Sequence, residues 1–333
     1  MNDKYLLIRE WGCGFYADFL HITQGMYLAK LLGRKPIIHW GKESLYNNTS
    51  HEDVFKDFFN CDELNLSIKQ NFKDVFPCQY SEFPYQYLLK EKYDTTESSV
   101  LAYLQSLLKS NCELVVYDRF LNLGHLLPLL NIKKEKFSYP EFRYKELVKK
   151  YHKPCDLILN KVKNEMESMG LEKGNFNAIQ LRLSEKVRTQ ENYSKVLSGY
   201  YNYFEVSTDD MNKDLFICSE DQKAIDYFSE KYPGRVLSSS ASRNVYKFDK
   251  SASKLGIVDN QYVPEFLLKT PGLEKKWMGF EVVTDVLLAS YANVFVGSDS
   301  NVAKIIAYLL DDCATNFVFS ADEVISADKM KEQ

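Results

Sequence analysis

The run Tyr5-Leu-Leu-Ile8, Arg9-Glu10, Trp11-Gly12-Cys13-Gly14-Phe15-Tyr16, followed after a helical stretch by Pro36-Ile37-Ile38-His39-Trp40, decides the fold class. Four apolar residues read as a short strand, and the glycines as a turn. From 17 to 32, Phe19, Ile22, Met26 and Ala29 recur near helical spacing, and Gly33 is a plausible stop. Pro36 to Trp40 then resumes as a strand. Strand, glycine turn, helix and strand in this order open a doubly wound α/β domain.

Further along, residues 42–110 are aromatic and less regular, with Phe55, Phe58, Phe59 and the patch Phe83-Pro84-Tyr85-Gln86-Tyr87, and read as helices and loops on the first sheet. Core packing is the plainer role for such aromatics. Glu113 to Tyr117 is another strand. The charged stretch 143–171 reads as helix interrupted at Pro154. A second α/β pattern follows, with strands at 176–183, 215–218, 235–237, 293–297 and 316–319. Helices are expected at 192–205, 221–231, 280–291 and 301–310. The polar interval 239–275 is long for a loop in a compact domain and reads as a binding loop. The expected organisation is two Rossmann-like domains facing across a cleft, 1–165 and 166–333, with ligands at the carboxyl ends of the strands.

The composition is that of a globular chain: 333 residues, 45% hydrophobic and 26% charged, with a net charge of -4. A nucleic-acid binder usually carries a basic excess, and none is present. The start, Met1-Asn2-Asp3-Lys4, reaches a charged pair too soon for a secretory signal. Nothing approaches eighteen consecutive apolar residues, so no membrane span is expected. The seven cysteines lack a CxxC pair and the five histidines lack zinc spacing, which fits a cytoplasmic, metal-free protein. Peripheral contact with the inner face of a membrane stays open.

Three places carry chemistry. The Gly12-x-Gly14 turn lets backbone come close to a ligand, and the helix after it offers N–H groups to an anion. A purely structural turn is the alternative. The dinucleotide fingerprint is incomplete, because its third glycine falls at Ala17, which argues against a Rossmann oxidoreductase. The second place is Gln180-Leu-Arg182-Leu-Ser-Glu185-Lys186-Val-Arg188-Thr, where an apolar strand runs into charge. Arg182 presents a planar fork suited to a diphosphate, and a nearby carboxylate can take an acceptor proton. A surface ion-pair cluster is the alternative. The third is the C-terminal half, with Asp214-Leu-Phe-Ile-Cys-Ser219-Glu220-Asp221 and Val294-Phe-Val-Gly297-Ser298-Asp299-Ser300-Asn301. Ser219 and Asp221 suit either ligand contact or helix capping. Ser298 and Ser300 offer hydroxyls where a helix N-terminus favours an anionic phosphate.

These stretches together resemble the α-1,6-fucosyltransferase superfamily, which includes the nodulation fucosyltransferases. Gly12 to Trp40 resembles its opening, with Gly33-Arg34 and Trp40-Gly41 matching in order and spacing. The family motif His-Val-Arg-Arg-Thr-Asp-Lys-Val-Gly-Thr-Glu aligns without a gap. Arg182 falls on its first arginine, the donor-phosphate contact; Glu185 replaces the aspartate and Lys186 matches the lysine. Gln180, Leu183, Arg188 and Gln190 depart from it, and Glu191 stands beside the final position. Lys231-Tyr232-Pro233, Gly279, Glu281, Asp285, Ser290 and Ala292 continue the likeness, Asp285 corresponding to an aspartate of the donor site.

The resemblance implies a GT-B-like fold and an inverting, metal-independent transfer of fucose from GDP-fucose to a hydroxyl of a saccharide or glycoconjugate, with no cofactor. It assigns catalysis to Arg182, Glu185 and Glu191. It assigns donor binding to Gly12, Gly14, Lys186, Ser219, Asp221, Asp285, Ser298, Ser300 and Asn301. A transferase of the same fold using another nucleotide sugar, or a non-catalytic carbohydrate-binding member, are the rival readings.

Overall fold

The computed structural model describes residues 3–41, 44–47, 53–60, 72–77, 96–119, 121–123, 125–126, 144–183, 190–208, 212–241 and 275–319. The chain divides into two compact units, Met1–Cys155 and Asp156–Gln333.

The first unit is built on a parallel sheet in the order β2-β1-β4-β3, from β1 (Tyr5–Arg9), β2 (Lys35–His39), β3 (Val75–Phe76) and β4 (Leu114–Tyr117). Its central strands read as continuous apolar runs because both faces are covered, so Leu6, Leu7, Ile8 and Val115 are fully buried. Helix α1 (Phe15–Leu32) is buried on most of its circumference and packs on β1 and β2. Phe15, Trp40, Tyr46, Phe55, Phe58 and Phe59 form an aromatic core in which Phe15 lies 4.9 Å from both Trp40 and Phe58. The aromatic-rich middle thus serves packing where it is described; 78–95, with the Phe83–Tyr87 patch, lies outside the described residues. The short helix α2 (Phe55–Phe58), α3 (Glu97–Lys109) and α4 (Tyr144–Tyr151) complete this unit.

The Gly33-Arg34 pair does structural work at the opposite, amino edge of this sheet. Gly33 ends α1, and the buried Arg34 guanidinium donates to the carbonyls of Cys112 and Ser110, each at 2.8 Å, and of Tyr5 at 3.3 Å. One side chain thereby ties the start of β1 to the turn before β4.

The second unit follows Pro154, which breaks the expected 143–171 helix into α4 and α5 (Asp156–Met169). Its parallel sheet has the order β7-β6-β5-β8-β9, from β5 (Asn177–Leu181), β6 (Leu215–Ser219), β7 (Val236–Leu237), β8 (Val294–Ser298) and β9 (Thr315–Phe319). The chain winds outward from β5 through β6 to β7, then returns to β8 on the other side of β5. That reversal makes the β5–β8 boundary the topological switch point. Helices α6 (Gln190–Ser207), α7 (Gln222–Lys231), α8 (Lys275–Ser290) and α9 (Asn301–Leu309) supply the layers. Tyr193, Val196, Leu197, Tyr200 and Phe204 form the buried stripe of α6 and pack with Ile179, Leu181 and Val296 of the sheet. Among the described residues no helix is long and apolar enough to cross a membrane.

Candidate active site

Of the residues singled out, Gln180 and Arg182 lie at the carboxyl end of β5, Ser219 and Asp221 at that of β6, and Ser298, Ser300 and Asn301 at that of β8. Ser298 is the last residue of β8, and Ser300 is the N-cap of α9. The Ser300 hydroxyl accepts from the Ala303 N–H at 3.0 Å and donates to Gln180 Oε1 at 3.1 Å. Both serines and Gln180 are buried. Gly297 is required by close approach: a Cβ there would lie 2.9 Å from that of Ala303 and 2.8 Å from the Phe295 ring. The N-terminus of α9, with its partial positive charge, is therefore drawn tightly onto the switch point. Asn301 is the first residue of α9. Asp299, beside the cap, is exposed and pairs with Lys304 at 2.6 Å.

Arg182 stands one residue beyond β5 and is half-buried. Leu183 instead turns into the core and is 1% exposed. The position where the motif carries its second arginine is thus apolar and inward, which removes it from any ligand. Beneath these residues lies Tyr200 of α6, fully buried, with its hydroxyl toward Ser298 and the Arg182 backbone. Burial pushes its phenol up, and those two neighbours oppose the rise.

At the end of β6, Asp221 caps α7. Its Oδ1 accepts from the Lys223 N–H at 2.9 Å, its Oδ2 from the Tyr193 hydroxyl at 2.6 Å, and its own N–H donates to Ser219 Oγ at 3.1 Å. Burial raises the Asp221 carboxyl, and Tyr193 and Lys223 work against that rise. The capping role is therefore realised, with both carboxylate oxygens engaged inside the protein.

Asp285 lies buried on α8 and accepts the hydroxyl of Ser239, just beyond β7. The next residue, Ser240, donates its N–H to Glu165 Oε2 at 3.1 Å and its hydroxyl to the same carboxylate. Burial pushes the Glu165 carboxyl up, but Ser240 and Lys161 outweigh it and leave it below its ordinary value. Two adjacent serines thus anchor the chain after β7 to α8 and α5. Most of the expected binding loop, 242–274, lies outside the described residues, as do Glu185 and Lys186; Glu191 is in α6, but its side chain is outside them too.

Gly12 and Gly14 belong to the first unit. Gly12 has φ 84°, a conformation that favours glycine. The N–H groups of Trp11, Gly12 and Cys13 converge on Asp18 Oδ1 at 3.0, 2.9 and 3.3 Å. The turn does form an anion-binding nest, and it is filled by a carboxylate from the first turn of α1. The carboxyl edge of this sheet also buries Arg9, Glu10 and His39, with the carboxyl of Asp53 close by. Burial and Arg9 lower His39 to about 4. Burial raises Asp53 to about 7, with Glu10 adding to the rise and the N–H groups of Phe55 and Trp40 resisting it. Among the described residues no group of three or more His, Cys, Asp and Glu side chains is placed to hold a metal ion.

Sequence reasoning missed Tyr193, Tyr200 and Ser239. The two tyrosines sit seven residues apart on one face of a helix, a spacing that reads as core. Their hydroxyls, aimed at strand ends, were the available signal.

No family model matches the sequence, and no curated protein matches it either. Solved structures do match in fold. NodZ α-1,6-fucosyltransferase co-crystallised with GDP is similar with a TM-score of 0.58 at 11% identity, over 93% of both chains. Fucosyltransferase NodZ from Bradyrhizobium is similar with a TM-score of 0.57 at 12% identity, over 93% of this chain and 94% of that one. A variant of Arabidopsis thaliana FUT1 in complex with GDP follows at 0.56 and 10% identity, over 95% of this chain and 70% of that one. With its two parallel sheets each flanked by helices, the chain has the GT-B-like α/β fold of these fucosyltransferase structures.

Proposed function

We propose that the chain is an inverting glycosyltransferase that moves fucose from GDP-fucose to a hydroxyl of a saccharide or glycoconjugate without a metal. The observation that carries this reading is the grouping of Arg182, Ser298 and the Ser300-capped N-terminus of α9 at the switch point of the second sheet. A diphosphate leaving group needs fixed positive potential where its charge develops, and a guanidinium beside a helix N-terminus supplies it in pre-oriented form. Residues 166–333 then hold the donor and 1–165 the acceptor.

In this reading the acceptor oxygen attacks the anomeric carbon as its bond to the diphosphate breaks. The acceptor proton passes to a carboxylate, Glu185 before Glu191. Arg182, Lys186, Ser298, Ser300 and Asn301 serve the diphosphate. Ser219 and Asp221 shape the turn beside the nucleoside, Asp221 through its cap, and Asp285 acts together with Ser239. Gly12 and Gly14 give close backbone approach, since Asp18 already takes the N–H groups around them.

A second reading, transfer of a different sugar nucleotide on the same fold, is favoured by Leu183 and Gln180, which point away from the family pattern on the donor side. A panel of GDP-, UDP- and ADP-sugars in EDTA, followed by thermal shift and donor hydrolysis, separates the readings. Stabilisation by GDP and GDP-fucose alone supports fucose transfer. Preference for another nucleotide favours the second reading, binding without turnover a non-catalytic member, and no interaction at all overturns the proposal.

A further inference from the structure

Helix α5 buries Ile158, Val162 and Glu165, so the third position of an otherwise apolar stripe is an acid. A charge placed there must be compensated, and an apolar side chain would cover the same face without that cost. The compensation centres on one residue of the chain beyond β7. Ser240 gives Glu165 both its N–H, at 3.1 Å, and its hydroxyl, and Lys161 adds its ammonium at 3.3 Å. The same ammonium donates to Ser240 Oγ at 3.2 Å and lies 5.4 Å from the ring centre of Trp277, in the first turn of α8. Ser240 is thereby fixed through its backbone and its side chain at once. Its neighbour Ser239 is buried and gives its hydroxyl to Asp285 on α8. Two adjacent serines reach two different helices, so holding Ser240 on α5 determines where Ser239 meets α8.

We infer that Glu165 is a positioning residue for the nucleotide site: through Ser240 it holds the Ser239 hydroxyl on Asp285, and so fixes the orientation in which that carboxylate meets a bound nucleoside diphosphate. This rests on the proposed reading of Asp285 as part of the donor site. A hydroxyl bound to one carboxylate oxygen restricts rotation of the group, and a group oriented beforehand loses less entropy on binding. The Glu165–Lys161 charges serve geometry rather than net stability, since a buried ion pair gains little over apolar packing. Glu165 is engaged by Ser240 and Lys161, so its effect on affinity passes through Asp285.

The experiment measures Tm without ligand and the GDP dissociation constant, well below that Tm, for wild type, Glu165→Ala, Glu165→Gln, Ser240→Ala, Asp285→Ala and the Glu165→Ala/Asp285→Ala pair. Expected for Glu165→Ala is affinity weakened roughly fivefold to twentyfold, the scale of one misplaced charge-assisted hydrogen bond. Glu165→Gln keeps an oxygen for the Ser240 N–H and is expected within about twofold of wild type. In the double variant Glu165→Ala adds nothing to the loss caused by Asp285→Ala, because both act through one contact. Ser240→Ala removes only a hydroxyl and is expected to weaken GDP binding in the same way; it carries the test, alone and with Asp285→Ala, where Glu165→Ala does not fold. A merely structural Glu165 lowers the Tm and leaves GDP affinity unchanged, and that result overturns the inference. Multiplying losses in the double variant, or equal losses in Glu165→Gln and Glu165→Ala, also overturn it. Wild-type affinity in Asp285→Ala overturns it while GDP binding by the chain stands. Failure of the wild type to bind GDP is a separate result, which overturns the nucleotide reading and this inference with it.

Discussion

Ser300 donates its hydroxyl to Gln180 Oε1 over 3.1 Å, joining residues 120 positions apart at the point where the second sheet reverses its winding. The same oxygen accepts the Ala303 N–H, so one serine both starts α9 and holds it to the end of β5. Gln180 therefore has a local reason to be where the family motif carries histidine: it is the acceptor that fixes the cap.

Ser300→Ala removes both bonds and leaves a buried amide oxygen unpaired. The expected cost is about 2 kcal/mol, the sum of a lost cap and a lost partner, measured as a shift in denaturant midpoint with unchanged slope. A change below about 0.5 kcal/mol would show that the cap is dispensable.

Tyr193→Phe strips Asp221 of its 2.6 Å donor while the Lys223 N–H remains. A destabilisation of about 1–3 kcal/mol is expected, because the freed carboxylate oxygen is buried. Restoring stability with Asp221→Asn in the Tyr193→Phe background, by removing the buried charge, is the matching control; no recovery there would contradict the assignment.

Acid acts on the first unit, which contains every histidine of the chain. Burial holds His39 at about 4 and His152 at about 3, both below the ordinary histidine value. The unfolded chain therefore takes up these protons first as pH falls. Stability from the neutral rings is complete above about pH 6.5 and is lost progressively toward pH 4 and 3. His39→Gln should flatten this loss by roughly 3 kcal/mol in pH-dependent unfolding of the protein. An unchanged profile would contradict a buried, neutral His39.

Asp53 has the opposite sign. Its folded-state value of about 7 lies above the ordinary carboxylate range, so stability is complete below about pH 4 and falls as pH rises to 7. Asp53→Asn keeps an oxygen for the Trp40 and Phe55 N–H groups. It should match wild type near pH 4 and exceed it above pH 7 by up to roughly 4 kcal/mol. Because the histidine and aspartate slopes partly cancel between pH 4 and 6.5, the two variants are needed to separate them. Loss of stability in Asp53→Asn at pH 8 would contradict a buried Asp53 carboxyl raised to about 7.

The winding of both sheets was legible because parallel strands covered on two faces are short apolar runs, as in Leu6–Ile8 and Phe295–Val296, punctuated by glycine turns and caps. Nearly all the expected strands and helices in the described residues appear within a few positions of their limits. The two-residue β3 was missed because Val75-Phe76 is too short to show a period. Side-chain destinations were harder. Asp18 folding back onto the Trp11–Cys13 N–H groups fills a nest that the glycines alone suggest is open. Arg9-Glu10 reads as the polar end of an apolar run, yet both side chains are buried. Ser239 meets Asp285 across 46 positions, a separation no local pattern carries.

In the proposed reaction Arg182 stabilises a diphosphate leaving group without help from a metal. The most direct measurement is the turnover of GDP-fucose in EDTA by wild type and by Arg182→Ala. Predicted is wild-type turnover undiminished by EDTA and a fall of about 10²–10³ in the variant, the scale of losing one preorganised charge-stabilising group. Equal turnover by the two proteins, or wild-type turnover that appears only with a divalent cation, would contradict it.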